Sequence, residues 1–395
     1  MKNIREAIEK ELEKRKGLLK LKPAWVARDF LPPGKRLGLP ESEYNLGERG
    51  GICERWVAST TKADNKISVP NEGLSMINID DLELTLKDAV EAAPDLIMGE
   101  EYSKTHKGLG RLPKIFDYEE RLPYHIHQMQ EHAKLVGCNS KEEAYYFPEG
   151  LDTGKAPDTY FGVHPYIVDE NKQELLLPAM INWKDDSILQ FAKAFKQIPG
   201  DGFHVPSGTL HAPGTALTIE LQEDSDVFAM LQAKCGPKLI SKDLLFKDVR
   251  DEDKKTHGEK IILDMINWEV SGDPYFYENR HTPPILITTT NTAEEYWFFY
   301  NTNKFSGKRI NIKPGGKYFS KEKGVYNILV WKGKGKFGEL KIEAGNFECD
   351  EILVSHQAAI NGVEIVNQDN NEMIIYKFFG PDINDDVPFL KKYKK

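Results

Sequence analysis

Acids and bases alternate around a few apolar positions in the first twenty residues, MKNIREAIEKELEKRKGLLK, and predict a solvated amphipathic helix. The next twenty, LKPAWVARDFLPPGKRLGLP, are rich in Pro and Gly without sustained periodicity, so extended chain is expected there. ERWVAST, from Glu54 to Thr60, reads as a strand. Residues 79–97 show helical spacing with Asp near the start and Pro near the end. From about 112 to 235 the pattern shortens to strands broken by turns: KIFDY, YHIHQ, AYYFPE, TYFGVHP, GFHVPSG, TALTIEL and DVFAMLQA. A helix is predicted within them at 185–197, where Ile188, Phe191, Ala192 and Phe195 share a helical face and IPGDG ends the run. After a helical segment near 255–267, β-patterning returns from about 284 to the end, in segments such as YNILVWKG, DEILVSH and MIIYKFF. Evenly spaced strands of this kind predict sandwiches or barrels, here two β-rich regions. The second contains one histidine, His356, and so cannot build a multi-histidine metal site.

At 395 residues the chain is longer than a usual single domain. No apolar run approaches the roughly 18 residues that span a bilayer, and the N-terminus lacks the apolar centre of a signal peptide. No membrane partner is expected. Cys53, Cys138, Cys235 and Cys349 lie far apart, without a CxxC pair, which suggests neither a zinc knuckle nor a disulfide framework and fits a reducing cytoplasm. A formal charge of −9 argues against a general nucleic-acid binder, which needs a concentrated basic surface.

Two segments carry candidate chemistry. In LPYHIHQMQEH, His125 and His127 lie two apart on a predicted strand, so alternation sends both imidazoles to one side of the sheet, within reach of one ion. In GDGFHVPSGTLHAPG, the turn at Pro206, Ser207 and Gly208 leads into His211, which could approach from a neighbouring strand. A histidine alone is more often a surface or satisfied core residue. The joint spacing of Gly200, Pro206, Gly208 and His211, with a preceding His-x-His and a following Glu, resembles the paired motifs of cupins.

The resemblance narrows when neighbouring residues are included. KIFD (Lys114 to Asp117), the EEAYYF after Lys141, and VPSGTLHAPG followed by ALTIELQEDSD are similar to segments of the class I mannose-6-phosphate isomerases, as are ERWVAST and PNEGLS. The match covers most of residues 20–235. It implies a mainly β, bicupin-like fold of jelly-roll barrels with helical additions in the N-terminal half. The expected division is a metal-binding domain at 1–270 and a degenerate cupin-like domain at 271–395. It further implies an aldose-ketose isomerase that converts mannose 6-phosphate to fructose 6-phosphate through an enediol. By this resemblance His125 stands where the family usually has a Gln ligand, and His127, Glu143 and His211 match the other three metal ligands. Glu131 competes with Glu143, because the general cupin pattern has a carboxylate there. Lys141 and Glu220 match active-site residues, and Lys114 a substrate-binding lysine. Nitrogen ligands with a carboxylate suit Zn2+, although other divalent transition metals are compatible.

The chain departs from the family near the substrate. Pro123 replaces a Ser, and Met230 replaces an Arg, which exchanges a bidentate oxyanion binder for an apolar side chain. The expected partner is therefore a small sugar or sugar phosphate. An isomerase of an unphosphorylated sugar and a non-catalytic sugar-binding cupin are the alternatives, and the oligomeric state is left open.

Overall fold

The computed structural model describes residues 2–79 and 82–394. It divides the chain into two compact units, each assembled from three segments: residues 1–26, 55–115 and 282–389 in one, and 27–54, 116–281 and 390–395 in the other.

In the first unit, the expected N-terminal helix runs Lys2–Lys14 and turns Ile8 and Leu12 into the core. The strand Leu18–Lys20 then pairs antiparallel with Glu351–Val354, beginning a seven-stranded sheet. Its order continues through Tyr326–Lys332, Met373–Phe379, Ser306–Ile312, Ala293–Phe299 and Ile285–Thr289. A four-stranded sheet is built from Lys317–Ser320, Val363–Asn367, Lys334–Phe337 and Leu340–Glu343. Ile310, Ile328, Val330, Ile352 and Ile375 of the larger sheet share one apolar core with Phe337, Ile342 and Ile365 of the smaller, as alternating strands with one buried face require.

The helix expected over 79–97 is shorter than its periodicity suggested. Leu82–Thr85 is a strand paired with Met76–Ile79, while Asp80 and Asp81 lie outside the described residues. Helix begins only at Leu86, where Thr85 and Asp88 close a reciprocal capping box, and Pro94 opens a second short helix, Pro94–Met98, instead of ending the first.

The second unit contains two facing sheets. One has the order Ala192–Lys196, Asp158–Val163, His211–Ala212, His125–Ile126 and Ala229–Met230. The other contains Gly202–Val205, Glu143–Tyr146 and Thr218–Gln222, paired in that order. The helix expected over 185–197 is instead a 3-10 turn, Ser187–Phe191, followed by the strand Ala192–Lys196. Its apolar residues satisfy either period. Pairing with Asp158–Val163 supplies backbone hydrogen bonds and lets Phe195 pack on Phe161, Phe203 and Phe276. Local spacing gave way to sheet pairing.

Candidate metal centre

His125 lies on a short strand directly opposite His211 on one side and Met230 on the other. Directly opposed residues in an antiparallel pair project to the same face. One inward row therefore reads Phe161, His211, His125, Met230 across four strands. His127 follows His125 by two and joins it. The turn before His211 is fixed by Gly208, whose φ is +77 and whose N–H donates to the His127 carbonyl at 2.7 Å. A Cβ at Gly208 would come within 2.9 Å of Met129 and of the Asn267 backbone, so both the conformation and the close approach favour glycine.

The three imidazoles form a buried group whose ligand atoms lie within 4.8 Å of one another. Each Nδ1 donates to a backbone carbonyl: His125 to Pro123 at 2.6 Å, His127 to Val227 at 2.7 Å and His211 to Thr209 at 2.8 Å. With Nδ1 protonated, a neutral ring presents an Nε2 lone pair to the interior. This outer bonding fixes the tautomer that metal-binding histidines need.

Glu143 faces them from the other sheet. Its Oε2 lies 3.1 Å from His127 Nε2 and its Oε1 2.9 Å from His211 Nε2. These are approaches of acceptor to acceptor if the rings are neutral: His211 Nε2 and Glu143 Oε2 are buried and make no hydrogen bond among the described residues. Converging buried lone pairs are costly unless a cation joins them. Lys141 provides part of the compensation, its Nζ 2.8 Å from His127 Nε2, 3.2 Å from Glu143 Oε2 and 3.7 Å from Glu220 Oε1. Tyr145, two residues along the strand from Glu143, donates its hydroxyl to Glu143 Oε1.

Electrostatics agree with this protonation pattern. Burial, with the neighbouring His211 and His127, pushes His125 well below its ordinary value. Burial and the Lys141 charge lower His127 from 6.5 to about 3. Burial alone would raise Glu143, but the Lys141 charge, the largest opposing influence, holds its carboxyl well below the usual range. The site offers three inward-facing imidazole nitrogens and one carboxylate, a donor set that fits a divalent transition metal.

His125, His127, His211, Glu143, Lys141 and Glu220 are thus brought together. Glu220 is directly opposite Tyr145 on the adjacent strand. Lys114 is buried on Leu112–Phe116 and belongs to the first unit. Glu131, the rival carboxylate, is exposed on the short helix Gln130–Ala133. Met230 is buried beside His125, and Pro123 contributes its carbonyl to the same histidine. Lys234 and Lys238 are exposed. Sequence reasoning missed Tyr145, although alternation from Glu143 was the signal for it. It also missed the buried Arg28, which bonds Glu54 at 2.9 Å and Asp226 at 3.3 Å. Asp226 precedes Val227, whose carbonyl holds His127, so this ion-pair group braces the histidine's anchor.

The fold and this site define a mainly β protein with a buried group of three histidines and a glutamate suited to a metal ion, and comparison with known proteins narrows the class. No family model matches the chain. Mannose-6-phosphate isomerase ManA of Bacillus subtilis (strain 168) is 28% identical over 266 residues, 62% of this chain and 74% of that protein. The probable mannose-6-phosphate isomerase GmuF of the same strain is 33% identical over 119 residues, 29% of this chain and only 34% of its own length. The crystal structure of the Bacillus subtilis mannose 6-phosphate isomerase aligns over 91% of this chain and 99% of its own, with a TM-score of 0.61 at 16% identity. A mannosephosphate isomerase structure from Archaeoglobus fulgidus aligns over 92% and 97%, with a TM-score of 0.61 at 12% identity. A zinc-bound mannose 6-phosphate isomerase aligns over 92% and 100%, with a TM-score of 0.62 at 11% identity. The chain is a divergent relative of the mannose-6-phosphate isomerases and has their fold. No helix among the described residues is long and apolar enough to cross a membrane.

Proposed function

We propose that the protein is a metal-dependent aldose-ketose isomerase, acting on mannose 6-phosphate or a closely related sugar. The observation that carries this reading is the convergence of three backbone-anchored imidazoles and Glu143 beside Lys141 and Glu220. His125, His127, Glu143 and His211 would hold the ion. Zinc is our choice, supported by the zinc-bound isomerase of the same fold. When bound, the metal supplies a Lewis acid that polarises sugar oxygens. Glu220 takes the proton from C2 at a carboxylate oxygen and returns it to C1. The electrons of the broken C–H bond form the C1=C2 bond of the enediol while the C1=O π pair moves onto O1, which takes up a proton; O2–H then gives up its proton as C2=O forms and C1 is protonated, so no oxidant is required. Lys141 donates through Nζ to the oxygen on which charge develops. Lys114 is assigned to the phosphate by its motif. The setting we infer is cytoplasmic, supported by four cysteines that lie far apart in the sequence without a CxxC pair.

A second reading, isomerisation of an unphosphorylated sugar, is favoured by Met230, which stands directly across from His125 where the resemblance expects an arginine. Metal-replete turnover of mannose 6-phosphate beside free mannose, fructose and lyxose separates the two, with His211→Ala as the metal-dependence control. Conversion of the phosphate ester supports the first reading, conversion of free sugars alone supports the second, and no conversion of any refutes both.

A further inference from the structure

We infer that Tyr145 is a positioning residue for the metal: its hydroxyl holds the Glu143 carboxylate by Oε1 and fixes its direction toward the three histidines. The inference rests on the metal-site reading above and goes beyond it, because neither the motif nor the ligand set assigns Tyr145 a role.

Glu143 and Tyr145 alternate on one strand, so both side chains leave the same face of the sheet. The Tyr145 hydroxyl donates to Oε1, which lies 2.9 Å from His211 Nε2, while Oε2 lies 3.1 Å from His127 Nε2 and 3.2 Å from Lys141 Nζ. Both oxygens thus face the imidazoles, and the one hydroxyl donor on Oε1 sets the direction of the carboxylate. The hydroxyl cannot swing away, because the ring is wedged edge-on against Phe116 with centroids 5.8 Å apart, near Phe161 at 6.3 Å and His211 at 6.3 Å. A glutamate side chain with three torsions would otherwise sample orientations that turn the carboxylate away from the histidines, and ordering it on binding would cost entropy. Outer-shell donors of this kind tune ligand basicity as well as direction.

The test is Tyr145→Phe, which removes one oxygen and keeps the ring. Metal affinity is measured by competition with a chromogenic chelator for zinc and cobalt, and the visible spectrum of the cobalt form is recorded. Affinity should fall about 10- to 100-fold and the cobalt bands should shift, effects a purely structural role would not produce. The loss should shrink to about twofold or less in a Glu143→Gln background, where the carboxylate it acts through is gone. Wild-type affinity in Tyr145→Phe overturns the inference, and so does an equal loss in the Glu143→Gln background. A readout needing no variant is the near-ultraviolet tyrosine absorbance of the wild type during zinc titration: it should change until one ion is bound per chain, and a flat signal with zinc bound overturns the inference. If the wild type binds no metal, the metal-site reading itself fails, a result distinct from both.

Discussion

Acidifying the metal-free protein should cost it stability in a window set by its buried histidines. His127 has a folded value of about 3 against 6.5 in the unfolded chain, lowered by burial and by the Lys141 charge. The unfolded state therefore takes up the proton first. The contribution of this histidine is complete above pH 6.5 and is lost as pH falls through the window down to about 3. The slope is about 1.4 kcal/mol per pH unit, near 5 kcal/mol over the whole window. His125 is shifted the same way by burial and its neighbouring imidazoles, and His204 by burial, so the slopes add. Glu143 does not offset them, since its folded value is depressed and its own contribution, complete above about 4.5, is lost in the same direction as pH falls below that. The assay is urea unfolding of metal-stripped protein at neutral pH and about pH 5.5, for the wild type and for His127→Gln, whose amide can still donate to the Val227 carbonyl. The variant should lose about 1.4 kcal/mol less than the wild type over that interval. Equal losses in the two proteins would mean that His127 is not held neutral, and the case for an inward lone pair would collapse.

Three further outcomes are expected. His211→Ala removes a proposed ligand and should weaken zinc binding by more than about 100-fold, measured by equilibrium dialysis, because losing a direct donor should exceed the cost of losing an outer-shell one. Gly208→Ala forces a Cβ into a residue with φ +77 and within 2.9 Å of backbone, so a loss of about 2 kcal/mol or more is expected in urea titrations. In the first unit, Lys377 is fully buried and bonds Glu295 and Glu322, with Lys308 2.7 Å from Glu322. Lys377→Met should destabilise by about 3–5 kcal/mol, because two buried carboxylates lose their shared cation.

The sequence made the candidate site legible because its signals are local. Alternation puts His125 and His127 on one face, and the spacing around Pro206 and Gly208 sets up His211. What it could not carry was the choice between two compatible periods. Phe191, Ala192 and Phe195 fit a helix, but 192–196 pairs with 158–163, a partner some thirty residues away. Likewise the division into units alternates along the chain, since residues 27–54 and 390–395 join 116–281 through contacts that no local pattern announces. The anchors of the histidines were hidden for a related reason. Two are carbonyls two residues upstream, at Pro123 and Thr209, but the third is Val227, a hundred residues from His127.

Met230 is where sequence and geometry combine to sharpen the functional question. From sequence it is a departure whose consequence depends on where the side chain points. Register settles the direction, because a residue directly across from His125 shares its face, and Met230 is buried there. An arginine at this position would bring a fixed positive charge beside the imidazoles, whereas a thioether brings none and repels a hydrated dianion by offering it no compensation for desolvation. Any phosphate the enzyme accepts must then be held by groups elsewhere, with Lys114 the candidate supplied by the motif. Retained turnover of mannose 6-phosphate in Lys114→Met would remove that candidate, while loss of phosphate-ester turnover with free-sugar turnover preserved would assign it the anion.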